Sequence, residues 1–327
     1  MSTLNEASRR HATHYQRVLH EADNLYASGR AVHDGIRRFS DEWTNIQKGQ
    51  QWSAWHAREN SMAASLCNYY ATAGVYLLNL LGQARERVRW FDEALTAARL
   101  LKDRAAEARH LNNLGLAYAA LGEVKRAIDC YQSALGIARE INNLKSEGTA
   151  LGNLGGAYFA LGHLDRAGEL YEQRLAIARA LGDRRREASA LGNLGVIYKE
   201  KGELDRAIDL YQQDLMIAHE LRDRDGEGAV LGNLGIIYRK LGDPERAIEF
   251  HQQRLAIARE LGDQRGEGNA LFNMSLAQND LHNCSQAISI AEAALRLFQT
   301  IDDPNRGKVR RQILRWKSSK SISAKRN

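Results

Sequence analysis

A repeat of forty residues runs through most of the chain and constrains its fold more than any other feature of the sequence. Its core is the motif Leu-Gly-Asn-Leu-Gly, which occurs three times unchanged and twice as a close variant, at 111–115, 151–155, 191–195, 231–235 and 271–275. Tyrosine, alanine and leucine also return at forty-residue intervals after the motif. Such a period indicates supersecondary units that cannot bury their apolar faces alone and must stack on one another.

Each repeat is predicted to form two helices that pack against each other. In the middle repeat the first helix is expected over 184–201 and the second over 204–221. Gly202 provides the left-handed residue that ends the first helix, and Asp183 stands where an N-cap is needed. Glycines and capping residues at the equivalent positions predict the same pair of helices in the neighbouring repeats.

The repeat resembles that of the tetratricopeptide repeat (TPR) family, and the resemblance covers roughly residues 63–301. The family pattern Leu-Gly-x2-Tyr followed by Ala-x3-aromatic is matched in the middle repeat by Leu194, Gly195, Tyr198, Ala207 and Tyr211. Leu191 replaces the family's usual Trp, and the repeat is longer than the family's usual unit. Repeats of this kind are similar to those of the Pins-type spindle-orientation adaptors and, less closely, of kinesin light chains. The resemblance implies an all-α fold, a TPR superhelical solenoid of antiparallel helix pairs.

The chain is predicted to have three parts. Apolar residues at helical spacing before the repeats predict a helical N-terminal cap. After the repeats, Val309, Ile313 and Trp316 form an apolar stripe that can close the last repeat, and the chain beyond Trp316 is expected to be disordered. The predicted parts are a cap at 1–62, a TPR array at 63–301 (one eroded repeat at 63–103 and five clear repeats at 104–301), and a capping helix with a basic tail at 302–327.

A segment of the N-terminal part, FSDEWTNIQKGQQWSAWHA from Phe39 onward, carries a second resemblance. It is similar to the segment that precedes TPR arrays in bacterial STAND-type signalling NTPases. This resemblance implies a sensory role beside an NTPase. The sequence contains no Gly-x4-Gly-Lys-Ser/Thr phosphate-binding loop, so the NTPase would have to be a separate chain.

An asparagine returns at the centre of every motif, at Asn113, Asn153, Asn193, Asn233 and Asn273. On a helical wheel Asn193 lies away from the apolar side and near Ser189 and Val196. Asparagine is a mediocre helix former, so helix stability does not explain its recurrence. Two interpretations are open. The amides line a concave groove, as the resemblance to the adaptors implies, or they tie neighbouring first helices together.

A groove lined by these amides would suit an extended peptide, because each amide offers one acceptor and two donors to a peptide backbone. Packed helices lie about 8–10 Å apart, so five amides would span about 40 Å, the length of about a dozen extended residues. Side chains that vary around the constant amide would provide selectivity. The further predicted peptide-binding residues are Val196, Ile236, Lys199, Glu200, Arg239 and Lys240.

Two other positions of the forty-residue repeat allow more than one interpretation. Glycine precedes the amide in the three central repeats, where it either admits a ligand backbone or permits tight helix packing. Arg174, Asp214 and Arg254 stand one repeat apart where the TPR family usually has a small residue. Opposite charges at this spacing predict ion pairs between repeats.

Charge and composition exclude several classes of function. Nine of the basic residues lie in 306–327 without an acidic residue, so the rest of the chain carries about −3 of the net +6. Nucleic acid is therefore not an expected partner, apart from weak attraction to the basic tail. Three dispersed cysteines predict a reducing, cytoplasmic location, and no sequence run predicts a membrane span. No metal, cofactor or catalytic motif is recognised.

The sequence thus predicts a non-catalytic scaffold or adaptor that binds an extended segment of a partner protein in a TPR groove. The alternative from a different class is a sensory or regulatory module that works with a separate STAND-type NTPase or a transcription factor. The oligomeric state and the identity of the partner are left open.

Overall fold

The computed structural model describes residues 2–29, 31–81 and 84–324, and every regular element in these residues is an α-helix. The helices follow one another as antiparallel pairs, which confirms the predicted all-α TPR solenoid class. None of the described helices combines the length and the continuous apolar surface that crossing a bilayer requires.

Helix contacts divide the chain into two compact units, Met1–Ile177 and Ala178–Asn327. Unit 1 holds α1 (Ser2–Ala27), α2 (Val32–His56), α3 (Ser61–Ala73), α4 (Val75–Leu81), α5 (Ala84–Leu100), α6 (Arg104–Ala120), α7 (Val124–Glu140), α8 (Leu144–Ala160) and most of α9 (Leu164–Ala180). Unit 2 holds α10 (Arg184–Lys201), α11 (Leu204–Leu221), α12 (Arg224–Lys240), α13 (Pro244–Leu261), α14 (Gln264–Asp280), α15 (Cys284–Thr300) and α16 (Asn305–Ala324).

The helix ends lie where the local sequence signals place them. The predicted ranges 184–201 and 204–221 coincide with α10 and α11. The side chain of Asp183 accepts a hydrogen bond from the Arg186 backbone N–H at 3.1 Å, which satisfies a donor of the first turn. Gly202 ends α10 with a φ of 82°, a conformation that glycine adopts without a steric penalty.

The two N-terminal helices cover the apolar face of the helices that follow. Leu19 of α1 and Phe39 of α2 belong to one buried cluster with Tyr70 of α3 and Trp90 of α5. Tyr70 donates its hydroxyl proton to the carbonyl of Ala12 at 2.6 Å, so a polar bond accompanies the apolar contact. Helices α1 and α2 therefore belong to the core of unit 1, and the predicted boundary of a cap at residue 62 stays a prediction.

In four of the helix pairs a motif glycine makes room for a large side chain of the second helix. A Cβ atom at Gly195 would lie 2.7 Å from the ring of Tyr211, which is completely buried. The same relation joins Gly115 to Tyr131, Gly155 to Tyr171 and Gly235 to His251. The glycine of the motif is thus explained by the close approach of an aromatic ring.

The imidazole of His251 takes the position of these tyrosines without a hydrogen bond to either ring nitrogen among the described residues. Burial, together with Arg254 and Arg239, lowers the pKa of His251 to about 4. Between pH 6.5 and 4 the unfolded chain therefore binds a proton that the folded chain rejects, and stability must fall as the pH falls.

We expect the variant His251→Tyr, which carries the tyrosine of the neighbouring repeats, to lose this part of the acid sensitivity. Each such histidine contributes up to about 1.4 kcal/mol per pH unit in this window. Urea unfolding at pH 7.5, 6.5, 5.5 and 4.5 measures the difference between the two proteins. An identical pH slope in both would contradict the assignment of a buried, neutral His251.

The apolar stripe of the last helix packs against the final repeat. Val309, Ile313 and Trp316 of α16 are buried against Phe272 of α14 and Phe298 of α15. The expected disorder beyond Trp316 is wrong for most of the tail, because α16 continues to Ala324. The remaining tail residues, 325–327, lie outside the described residues.

Candidate peptide-binding surface

The recurrent asparagines all lie on the first helices of the repeats, and each of them is half-buried. Asn113 and Asn153 belong to unit 1, and Asn193, Asn233 and Asn273 belong to unit 2. None points into the apolar core, which holds the neighbouring leucines Leu194 and Leu234. The helical wheel therefore placed the amides on the correct side of their helices.

One of the asparagines ties neighbouring first helices together. Asn153 of α8 donates a hydrogen bond from its Nδ2 to Oδ1 of Asn112 on α6 at 3.3 Å. Within the described residues no side-chain hydrogen bond is found for Asn193, Asn233 or Asn273. Among the described residues, the tie between first helices thus accounts only for Asn153. It depends on Asn112, which stands directly before the motif asparagine Asn113 of the preceding repeat.

A cavity of about 870 Å³ in unit 2 receives two of these three amides. Asn193 and Val196 reach it from α10, together with Ser189, and Asn233 reaches it from α12. The second half of α11 from Tyr211 onward, the turn into α12 and Leu261 of α13 form its other walls. Three of the predicted site residues therefore meet in one concave surface.

The remaining predicted residues of unit 2 do not line this cavity. Lys199 is mostly covered, with 12% of its side chain exposed, and lies 3.6 Å from the carboxylate of Glu200. Arg239 forms an ion pair of 2.9 Å with Asp280 of the next first helix. Ile236 is half-buried and Lys240 is exposed, and both lie outside the cavity lining.

Unit 1 has a smaller cavity of about 530 Å³, and Asn113 lies in its wall. Asn112, Thr72, Arg109 and Lys145 also line it. This cavity has two basic side chains and no acidic one among its described lining residues. Both cavities are thus lined by motif asparagines, but the charges of the surrounding side chains differ.

Asp214 of α11 lines the unit 2 cavity and was not predicted as a site residue. Only 9% of it is exposed, and in the described part of the chain its carboxylate forms neither a hydrogen bond nor an ion pair. Burial, and secondly the charge of Asp223, raises the pKa of Asp214 to about 7. The predicted ion pairs between repeats are therefore wrong for Asp214, and Arg254 instead donates to the carbonyl of Gly228 at 3.0 Å.

The glycines before the motif asparagines make room for these charged side chains. A Cβ atom at Gly192 would lie 2.8 Å from Oδ2 of Asp214. At Gly152 and Gly232 it would lie 2.4 and 2.5 Å from Nη1 of Arg174 and Arg254. Where the first helix carries Asn112 or Phe272 instead, the second helix carries Ala134 or Ala294. The glycines are therefore explained by packing. A glycine in the first helix occurs with a large charged residue in the second, and this pairing of small and large residues in the sequence pointed to the position of Asp214.

The charged groups around the cavity are mixed in sign. Arg185, Arg222, Arg224, Asp223 and Asp225 also contribute to its lining. Arg224 is held by Glu227 and by Glu260, at 2.5 and 2.6 Å. Asp223 caps α12 by accepting from the Gly226 backbone N–H at 3.0 Å. No group of His, Cys, Asp or Glu side chains within the described residues is arranged to hold a metal ion.

Stacked antiparallel helix pairs, four of which have a Leu-Gly motif packed against an aromatic ring, place the chain in the TPR class of helical repeat proteins. Within this class, residues 114–325 match the model of the MalT-like TPR region, and the chain belongs to that family. A tetratricopeptide repeat model also matches residues 79–142. No curated protein sequence matches the chain.

Three solved structures illustrate the breadth of the fold. BtubC from P. vanneervenii shares 22% identity at a TM-score of 0.61, over 67% of this chain and 92% of its own. The quorum sensor NprR from B. thuringiensis, in its apo form, shares 15% at 0.59, over 89% of this chain and 81% of its own. The STAND protein PH0952 from Pyrococcus horikoshii, which has a TPR sensor, shares 17% at 0.61, over 98% of this chain and 54% of its own. At these identities the likeness is one of fold.

Proposed function

We propose that this chain is a non-catalytic adaptor that binds an extended segment of a partner protein, with the unit 2 cavity as the principal binding surface. The observation that carries the proposal is the pair Asn193 and Asn233, two motif amides that face one cavity without a hydrogen-bond partner among the described residues. A folded protein normally satisfies half-buried amides with protein or water, and water can be exchanged for a peptide backbone.

The geometry of the cavity suits a backbone ligand better than a small apolar molecule. The two amides come from first helices of successive repeats, α10 and α12, so they repeat along the array as peptide groups repeat along an extended strand. Val196 adds an apolar contact beside Asn193, and Ser189 adds a hydroxyl. Within unit 2 the surface would extend to a longer segment through Asn273, Ile236, Lys199, Glu200, Arg239 and Lys240.

Replacing Asn193 and Asn233 together by alanine tests the proposal. Twelve-residue peptides are first selected by display against the full chain. We expect the double variant to bind them about 10- to 100-fold more weakly, since each hydrogen bond lost in a closed site costs about 1–1.5 kcal/mol. The free energy of unfolding should change by less than about 1 kcal/mol, because water satisfies the amides of the free protein.

The matched control is the double variant Gln212→Ala and Gln252→Ala, which removes two exposed amides from the second helices α11 and α13. It should leave both affinity and stability unchanged. A display selection without enriched peptides, or equal peptide affinity of the asparagine variant and the wild type, would show that the cavity is not the binding surface.

A second candidate function is a sensory module that acts with a separately encoded STAND-type NTPase. The likeness over 98% of this chain to a STAND protein with a TPR sensor favours it. A sensor must change conformation with its ligand, whereas an adaptor need not. Small-angle X-ray scattering of the chain with and without a selected peptide separates the two functions, because only the sensor predicts a change in the radius of gyration.

A further inference from the structure

Asp214 is a buried carboxylate in the wall of the unit 2 cavity, and the fold gives it no partner within the described residues. Its repeat position is occupied by Ala134 and Ala294 or by Arg174 and Arg254 elsewhere, so an acidic residue occurs at this position only in the repeat that faces the cavity. A buried charge without a counter-charge is costly, and proteins keep such groups paired or neutral.

The surrounding groups leave a place for a cation next to Asp214. Asp223 lines the same cavity as Asp214, and after burial its charge is the second cause that raises the pKa of Asp214. The guanidinium of Arg224 is turned to Glu227 and Glu260. Arg185, Arg222, Asp225 and Tyr211 also line the cavity, and in the described residues neither arginine forms an ion pair with Asp214.

We propose that Asp214 selects ligands with a cationic nitrogen group and holds that group in the unit 2 cavity beside the amides of Asn193 and Asn233. The group is either a lysine or arginine side chain or the free amino terminus of the bound segment. The inference rests on the proposed peptide-binding function and specifies which segments the surface accepts. A carboxylate that is desolvated beforehand gains a charge-assisted bond with such a group at little further cost.

The neighbouring repeats supply a variant that reverses the charge without new strain. Gly152 and Gly232 accommodate the arginines Arg174 and Arg254, and Gly192 leaves the same space opposite Asp214. Asp214→Arg is therefore compatible with the packing of its helix pair. Asp214→Asn removes the charge at constant volume. Asp209→Asn, at an exposed position of the same helix, is the control with the same change in net charge.

The experiment uses the full chain and twelve-residue peptides of a serine, alanine and leucine background. One central position is lysine, arginine, norleucine, glutamine or glutamate, and every peptide is made with a free and with an acetylated amino terminus. Fluorescence polarisation gives the dissociation constants. We expect the wild type and Asp209→Asn to prefer a cationic peptide at least tenfold over its norleucine counterpart. This preference should fall below threefold in Asp214→Asn and turn toward glutamate in Asp214→Arg.

The experiment distinguishes a side-chain cation from an amino terminus, and it distinguishes failure of the cation inference from failure of the proposed peptide-binding function. A preference for the free terminus over the acetylated one at constant central residue assigns the site to an amino terminus, and a preference that follows the central residue assigns it to a side chain. A preference for a lysine or arginine side chain should weaken in the wild type from pH 8 to pH 6, as Asp214 becomes protonated, and should not vary with pH in Asp214→Asn, because both side chains stay charged over this range. Peptide binding with no cation preference overturns this inference alone, whereas no binding of any peptide overturns the proposed function with it.

Discussion

Deletion of residues 1–62 is expected to abolish the cooperative folding of unit 1. The deletion removes α1 and α2, and with them Leu19, Phe39 and Ile46 of the buried cluster. Tyr70, Leu77, Leu78 and Trp90, none of which is exposed in the complete chain, would then face water. Each large apolar side chain that loses its cover costs about 1.5–3 kcal/mol, so four of them approach the whole stability of a typical domain.

Thermal unfolding followed by far-UV circular dichroism, together with light scattering, measures the effect. The deleted protein should lose the cooperative transition of unit 1 and associate through the exposed cluster. A pair of single substitutions provides the control for a change confined to the surface. Trp90→Ala should cost about 3–5 kcal/mol, whereas Trp55→Ala, at a side chain that is 78% exposed, should cost little. A soluble and equally stable fragment 63–327 would instead show that residues 1–62 are an independent domain.

Replacing Leu194 by alanine is expected to lower the free energy of unfolding by about 2–5 kcal/mol, because it leaves a cavity in a core that cannot collapse around it. Leu194 is 2% exposed and lies between Asn193 and Gly195 on α10. Gly195 is held against the ring of the completely buried Tyr211, so the two helices cannot move closer to fill the space. Urea unfolding of Leu194→Ala and of the wild type measures the loss.

The adjacent variant Asn193→Ala provides the matched comparison on the same turn of the helix. It should change stability by less than about 1 kcal/mol, since the asparagine is half-buried and its amide is not bonded within the described residues. Equal destabilisation by the two substitutions would show that the amide is a structural tie, as Asn153 is, and would remove the basis for a binding role of Asn193.

Ion pairs join successive helices around a glutamate that recurs in the first turn of each first helix, at 107, 147, 187, 227 and 267. In unit 2 the carboxylate of Glu187 accepts from Arg179 at 2.9 Å and from Arg184 at 2.5 Å, and Arg184 also binds Glu220 at 2.7 Å. Burial opposes ionisation of Glu187, but the two arginines outweigh it and hold the pKa of that carboxyl below its usual value. The stacking of repeats is therefore not apolar alone, and Asp214 stands out because it lacks such partners in the described part of the chain.

The sequence alone determined the helices of the clear repeats, their ends and the helix face on which each asparagine lies. These features depend on interactions within one or two turns: capping by Asp183, the left-handed Gly202 and the apolar spacing of Leu191, Leu194 and Tyr198. They are set by residues close in the chain, and the same local signals occur in each of the five repeats. The family resemblance rests on the same residues, which is why the sequence is sufficient to recognise it.

Tertiary structure decided which of the asparagines are bonded and which charges are buried. Asn153 finds a partner only because α6 carries an asparagine at 112, and Asn193 and Asn233 face an open cavity only because of how α10, α11 and α12 approach one another. The acidic residue at position 214 is visible in the sequence as a departure from the other repeats, but its isolation depends on atoms from several helices and one turn. Burial and the absence of a partner are properties of space and not of sequence separation, so the local pattern that predicted the helices carried no signal for them.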